Sequence, residues 1–339
     1  MSRFDRLTTL QTLIDTGLVP IFYWPDVDAA KKVVDACVAG GSRVVEFTNR
    51  GDFAPLVFLE LSQYVAKTYP GVAFGVGSVV DAPTAALYIA YGADFVVAPN
   101  LVPEVARLCN RRRIPYLPGC GSVTEIGEAE ELGVEIVKVF PNSSLGGPEF
   151  IKATLGPCPR TKILPTAVVD VTEDDVKAWI TAGAVSLGIG SRLINRQVIE
   201  GGDWDALADR VRRILLWVRE ARGQSVFVGL EHVGLYAQPG AEMQAITDWY
   251  RQRFGFTAEI GNTHLLTGET SSGRIEVMPA AAPFHTHVAI GVSNFEAALE
   301  VLRERGIATD APILNPGFRL AYLKENDPAG NRVHIIWRA

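Results

Sequence analysis

A lysine inside a short apolar, β-branched run, Ile136-Val137-Lys138-Val139-Phe140-Pro141, is the residue of this chain best placed for covalent chemistry. Turn formers follow at once in Pro141, Asn142, Ser143 and Ser144. A run this short reads as a strand buried on both faces, with Lys138 near its C-terminal end. Burial disfavours an ammonium ion and leaves more free amine at neutral pH. A free amine facing a pocket forms a Schiff base with a carbonyl substrate. The competing reading is a lysine that buries its stem and carries its head to a surface carboxylate. Glu46, within Val44-Val45-Glu46-Phe47-Thr48, is a second ionisable group in an apolar run. A carboxylate there is costly without a partner or a task. Structural pairing with Arg50 or Lys138 stays open beside a role in proton transfer.

The histidines narrow the chemistry. All five (His232, His264, His285, His287 and His334) lie in the last third of the 339 residues. A zinc-dependent aldolase site or a Ser-His-Asp triad is therefore hard to build in the first part alone. Lysine, carboxylates, arginine and hydroxyls must suffice there. The net charge of −6, with no basic block longer than Arg111-Arg112-Arg113 at a helix end, argues against nucleic-acid binding. No apolar stretch reaches the length of a membrane span. The charged start, Met1 to Arg6, runs into an amphipathic pattern and does not read as a signal peptide. Cys37, Cys109, Cys120 and Cys158 contain no CxxC pair and read as reduced, mostly buried thiols of a cytoplasmic protein.

The elements that must carry these residues follow from hydropathy. After an opening helix, about Arg3 to Asp15, eight apolar runs alternate with amphipathic ones. The runs begin at Leu18, Val44, Ala73, Phe95, Pro115, Ile136, Ile163 and Val185, at spacings of 20 to 29 residues. Eight β-α units of this length predict a (β/α)8 barrel. An open doubly wound sheet is the alternative; the count of eight and the lack of GxGxxG after the first strand favour the barrel. Barrel chemistry sits at the C-terminal ends of the strands. Those ends hold Glu46, Thr48 and Arg50, then Ser78, Pro99, Lys138, Phe140, Thr166 and Ser191. A long amphipathic helix, Asp203 to Arg222, would close the barrel domain (1–222), and 223–225 form a linker.

Taken in order, the motifs resemble the class I aldolases acting on 2-keto-3-deoxy-6-phosphogluconate and 4-hydroxy-2-oxoglutarate. The resemblance rests on Gly40-Gly41 with Glu46-Phe47-Thr48-Asn49-Arg50, Phe74-Gly75-Val76-Gly77-Ser78 and Phe95 to Pro99. Ile114 to Gly119 with Glu125, Lys138-Val139-Phe140-Pro141, Pro165-Thr166 and Gly188-Ile189-Gly190-Ser191 complete it, over about Arg6 to Asp205. It implies a Schiff base on Lys138, general acid/base work by Glu46, and a carboxylate-holding role for Arg50. Ser78, Pro99 and Phe140 would shape the pocket, with Thr166 beside them. It also implies pyruvate as one product, no cofactor at this site and a homotrimer through the barrels. Two departures bear on the substrate. Ala167-Val168 stand where the family has Gly-Gly, whose backbone N–H groups approach a phosphate. Arg192 follows Ser191 where an aromatic is usual and would suit a carboxylate. Anion binding by Ser191 and the neighbouring turn alone stays open.

From Val226 the pattern repeats. Glu231-His232-Val233-Gly234-Leu235 is echoed by Thr286-His287-Val288-Ala289-Ile290, and Gly273 to Val277 by Asn331 to Ile335. Two βαβββ halves fit 226–339. This part resembles the vicinal-oxygen-chelate domains of glyoxalase I, extradiol dioxygenases and bleomycin-resistance proteins. The resemblance implies a divalent metal at His232, Glu276, His287 and His334, with His334 where the family usually has Glu. A metal-free module using the same cleft is the alternative. His264 and His285 fall off the pattern and are expected on the surface or in loops. The whole reads as a carbon–carbon lyase making pyruvate and an aldehyde from a 2-keto acid, fused to a candidate metal domain. A non-catalytic sugar-acid sensor, or principal activity in the metal domain, is the alternative.

Overall fold

The structure, a computed structural model, describes residues 2–166, 171–237, 240, 242–268, 273–280, 286–315 and 317–338. The chain divides into two compact units, Met1–Gln224 and Ser225–Ala339. No helix among the described residues is long and apolar enough to cross a membrane.

In the first unit, side-chain caps set where helices begin. Asp26, Asp81, Ser122, Thr172 and Asp203 each accept a hydrogen bond from a backbone N–H of the following first turn. The opening helix spans Arg6–Thr16 rather than starting at Arg3, because Asp5 accepts from the N–H groups of Leu7 and Thr8. Arg3 is drawn instead to Asp94, at 2.8 Å. Five strands, Leu18–Phe22, Val44–Thr48, Ala73–Gly77, Val96–Val97 and Tyr116–Leu117, pair in parallel in chain order. Pro118 has no N–H to donate and the ladder breaks there. It resumes at Gly119–Cys120, which pairs with Val137–Val139, followed by Ile163–Pro165. Single parallel bridges, Ile163 to Ala184 and Thr166 to Gly188, lead to Leu187–Ile189. That strand pairs with Leu18–Phe22, so the sheet returns to its first strand rather than staying open.

Side chains alternate between two apolar layers. The inner layer holds Val19, Ile21, Val44, Ala73, Phe95, Leu117, Ile136 and Leu164, with Leu10 and Leu13 of the opening helix packed against them. The outer layer, against the helices, holds Phe47, Phe58, Phe74 and Tyr88. Alternation decides the rest: Val44 and Ile136 belong to the inner layer, so Glu46 and Lys138, two residues on, face inward as well.

The second unit is an eight-stranded mixed sheet. Its order is Thr257–Ile260, His264–Thr267, Arg274–Met278, Phe227–Tyr236, His287–Val292, Arg332–Arg338, Phe318–Asn326 and Ile313–Asn315. Each half is a strand, a helix (Met243–Phe254 or Phe295–Glu304) and three strands. The first strands of the two halves meet antiparallel at the centre. His264 is not on the surface. It lies in a strand opposite Val277 and is 5% exposed, with Nδ1 2.7 Å from Thr247 Oγ1. His285 lies outside the described residues.

Candidate active site and candidate metal centre

Glu46 and Lys138 are 3% and 7% exposed. Burial, only partly opposed by the positive charges of Lys138 and Arg50, pushes the Glu46 carboxyl up to about 7. Burial also pulls the Lys138 amine below its ordinary value; Glu46 opposes this and Arg50 adds to it. The two groups therefore feel each other's charge, yet no direct ion pair joins Glu46 to Lys138 or Arg50 among the described residues. Each is buried without a direct counter-ion within 4 Å, so burial dominates both shifts. The Lys138 Nζ sits 4.9 Å from the centroid of the Phe140 ring. Such a ring packs the amine without neutralising it.

Room for the Glu46 carboxyl comes from Gly77. A Cβ there would fall 1.8 Å from Glu46 Oε1. Gly119, the register partner of Lys138, is fixed in the same way: its Cβ would lie 2.0 Å from the Pro99 carbonyl oxygen. These glycines reserve side-chain space, which a turn-based reading of glycine does not reveal. Ser78 holds φ of 61°, a left-handed conformation costly for a residue with a Cβ. Its Oγ accepts a long hydrogen bond, 3.4 Å, from Arg50 Nε, which links two predicted pocket residues. Thr166 is buried, and its Oγ1 has no hydrogen-bond partner among the described residues. Ser191 and Arg192 are exposed in the turn after Leu187–Ile189. Ala167 and Val168 lie outside the described residues.

In the second unit four adjacent strands converge. Gly234 is in register with both Glu276 and His287, and Ala289 with both His232 and His334. Rows two residues apart share a face, so all four candidate ligands project from one side of the sheet. His232 Nε2 lies 3.0 Å from His287 Nε2, and Glu276 Oε2 lies 3.1 and 3.4 Å from these nitrogens. His232, His287 and His334 bring one ring nitrogen each within 4.8 Å of one another. Gly234 makes space for the His287 ring; a Cβ there would meet His287 Cε1 at 1.9 Å. His287 Nδ1 and both His334 nitrogens are buried without a partner among the described residues. Burial, reinforced by His232 and His287, pushes His334 down to about 3, so its lone pair stays available. For Glu276, burial is outweighed by its contacts with His232, His287 and Thr263, which hold the carboxyl ionised. Three imidazoles and a carboxylate on one face of a sheet are the donor set of a divalent transition ion. Thr263, Gly234 and Glu231 complete this site and were not singled out from the sequence. Glu231 adjoins a candidate ligand in the chain, and a regular strand would turn it away.

Comparison with known proteins covers the first unit. The family model "KDPG and KHG aldolase" matches residues 10–210. A 2-dehydro-3-deoxy-phosphogluconate aldolase of Haemophilus influenzae is 27% identical over 206 residues, covering 61% of this chain and 94% of that protein. One from Pseudoalteromonas atlantica is 30% identical over 213 residues, covering 63% and 96%. Among solved structures, a KDPG aldolase from Legionella pneumophila, with pyruvate captured as a covalent carbinolamine, shares the fold. Its TM-score is 0.55, with 24% identity over 60% of this chain and 96% of that one. The relatives are carbon–carbon lyases, and this chain is an enzyme of that class. More particularly, it belongs to the KDPG and KHG aldolase family.

Proposed function

We propose that the first unit cleaves, and in reverse forms, a 2-keto-3-deoxy sugar acid or 4-hydroxy-2-oxoglutarate, giving pyruvate and an aldehyde. The observation that carries this reading is a buried amine with a weakened hold on its proton, facing the same interior as a carboxyl that titrates near neutrality. The Lys138 amine attacks the C2 carbonyl and the carbinolamine loses water to give a protonated imine. Glu46 takes the C4 hydroxyl proton, directly or through one water. The C3–C4 electron pair passes to the imine nitrogen, the aldehyde departs, and an enamine remains. Proton return to C3 and hydrolysis by water release pyruvate and the free amine. Arg50 would hold the substrate carboxylate by charge-assisted hydrogen bonds, with Pro99 and Phe140 walling the pocket. Ser191 and Arg192 would meet the far end of the substrate, where Arg192 could serve a carboxylate. Exposed Phe53, Leu56, Val80 and Leu87 offer apolar surface for the homotrimer.

Borohydride reduction in the presence of pyruvate tests this without knowledge of the aldehyde. A reduced pyruvyl adduct is expected on the peptide containing Lys138. A folded sample with no adduct would remove the Schiff-base reading.

The second unit we read as a vicinal-oxygen-chelate domain of two βαβββ repeats, with a divalent ion held by His232, His287, His334 and Glu276. The convergence of the four side chains and the unpartnered buried nitrogens support this. A bound ion would supply Lewis acidity at the sheet surface. Metal analysis after dialysis against cobalt is expected to find about one ion per chain, and little in His287→Ala. Equal cobalt in both proteins would count against the site.

A further inference from the structure

We propose that Glu231 is a positioning residue for the metal centre: it fixes the ring of His232 so that Nε2, and not Nδ1, faces the ion. The inference rests on the reading of that centre as a divalent-ion site.

In a regular strand Glu231 and His232 would point to opposite faces. Here the central strand, Phe227–Tyr236, is irregular at this point. Leu230 pairs with Ile290 and His232 with Ala289, so two steps along one strand match one step along the other. Glu231 is the extra residue, as in a β-bulge, and bulges re-aim side chains. Its carboxylate reaches the ring beside it and accepts a hydrogen bond from His232 Nδ1. The other oxygen accepts from Arg338 Nε at 2.7 Å and lies 3.5 Å from Arg274 Nη1. Arg274 and Arg338 stand on two further strands, so the carboxylate is held from three strands at once. His287 and His334 have no such support, since their outer nitrogens lack partners among the described residues.

A carboxylate that accepts from Nδ1 places the proton on that nitrogen. The Nε2 lone pair is then directed at the space shared with His287 Nε2 and Glu276 Oε2. The same hydrogen bond raises the donor strength of the imidazole. Arg338 and Arg274 compensate the charge of Glu231, so it tunes His232 without adding a fifth ligand.

The test uses the full chain labelled with 15N-histidine, whose five histidines give a small spectrum, with His232→Gln for assignment. Long-range 1H–15N correlation in the metal-free protein is expected to show His232 protonated at Nδ1. Competition with a chromophoric chelator is expected to show Glu231→Ala binding Co(II) roughly 10- to 100-fold more weakly than wild type. Glu231→Gln, which keeps an acceptor oxygen but loses the charge, is expected to recover most of the affinity. Co(II) binding within threefold of wild type in Glu231→Ala, or a His232 protonated at Nε2, overturns the proposal. If Glu231→Ala does not fold, the wild-type tautomer and Glu231→Gln decide. No Co(II) binding by the wild type overturns the metal reading itself, and this inference falls with it.

Discussion

Alanine at position 138 is expected to lower the rate of pyruvate formation by on the order of 10⁵-fold, leaving only background. The size follows from the role. An imine nitrogen is the electron sink for the C3–C4 bond, and among the described residues no other lysine is buried. Lys138→Arg separates covalent from electrostatic roles. The guanidinium keeps a positive charge near Glu46 and Phe140 but stays protonated and cannot attack a carbonyl. It is therefore expected to be as inactive as the alanine variant in a coupled assay of 4-hydroxy-2-oxoglutarate cleavage. Activity within 100-fold of wild type in Lys138→Arg would show that charge at this position, rather than an amine nucleophile, supports turnover.

Glu46→Gln is expected to trade activity for stability. The amide fills nearly the same space beside Gly77 but moves no proton, so kcat should fall by about 10² to 10⁴. Stability responds in the opposite direction and depends on pH. The carboxyl has an ordinary value of 4.5 and is held at about 7 in the fold. Between these values the folded chain keeps a proton that the unfolded chain gives up. The unfolded state thus binds fewer protons, and folding weakens as pH rises through this window. By pH 8 the accumulated cost is roughly 3 kcal/mol. Glutamine does not titrate and escapes it. Urea unfolding should find the two proteins close at pH 4.5 and the variant more stable at pH 8. Parallel pH dependences would mean that Glu46 is ionised at little cost, and that solvent reaches it freely.

Much of this was legible in the residues. The eight apolar runs became the parallel strands because β-branched stretches bounded by turn formers leave little choice. Period-two alternation put Glu46 and Lys138 on the same side as Val44 and Ile136. The two helices read from the pattern, about Arg3 to Asp15 and Asp203 to Arg222, came out as Arg6–Thr16 and Trp204–Ala221. Other features depend on contacts that spacing does not encode. Gly77 stands in the sequence only as part of a motif, yet what matters is the Glu46 carboxyl that a Cβ there would meet. His264 reads as an isolated polar residue in a loop because its partner, Thr247, comes from a helix seventeen residues earlier. Glu231 escaped notice because alternation sends it to the wrong face, and only an irregular register brings it back. The break at Pro118, by contrast, was written in the residue type and needed only the question of which N–H is missing.

The opening helix has a kinetic meaning. Leu10 and Leu13 lie in one apolar cluster with Val44, Ala73 and Ile136, residues at or beside the N-terminal ends of their strands. Among the described residues the N-terminal end of this sheet is thereby packed with hydrocarbon, which leaves the opposite rim as the side that suits a polar guest. For an imine at Lys138 this makes the interior a stack, in which the last molecule in is the first out. In the proposed reaction the three-carbon fragment would stay bonded to Lys138 while the aldehyde is held by no covalent bond. The aldehyde would then leave first in cleavage and arrive second in synthesis, because the imine keeps the three-carbon fragment until hydrolysis.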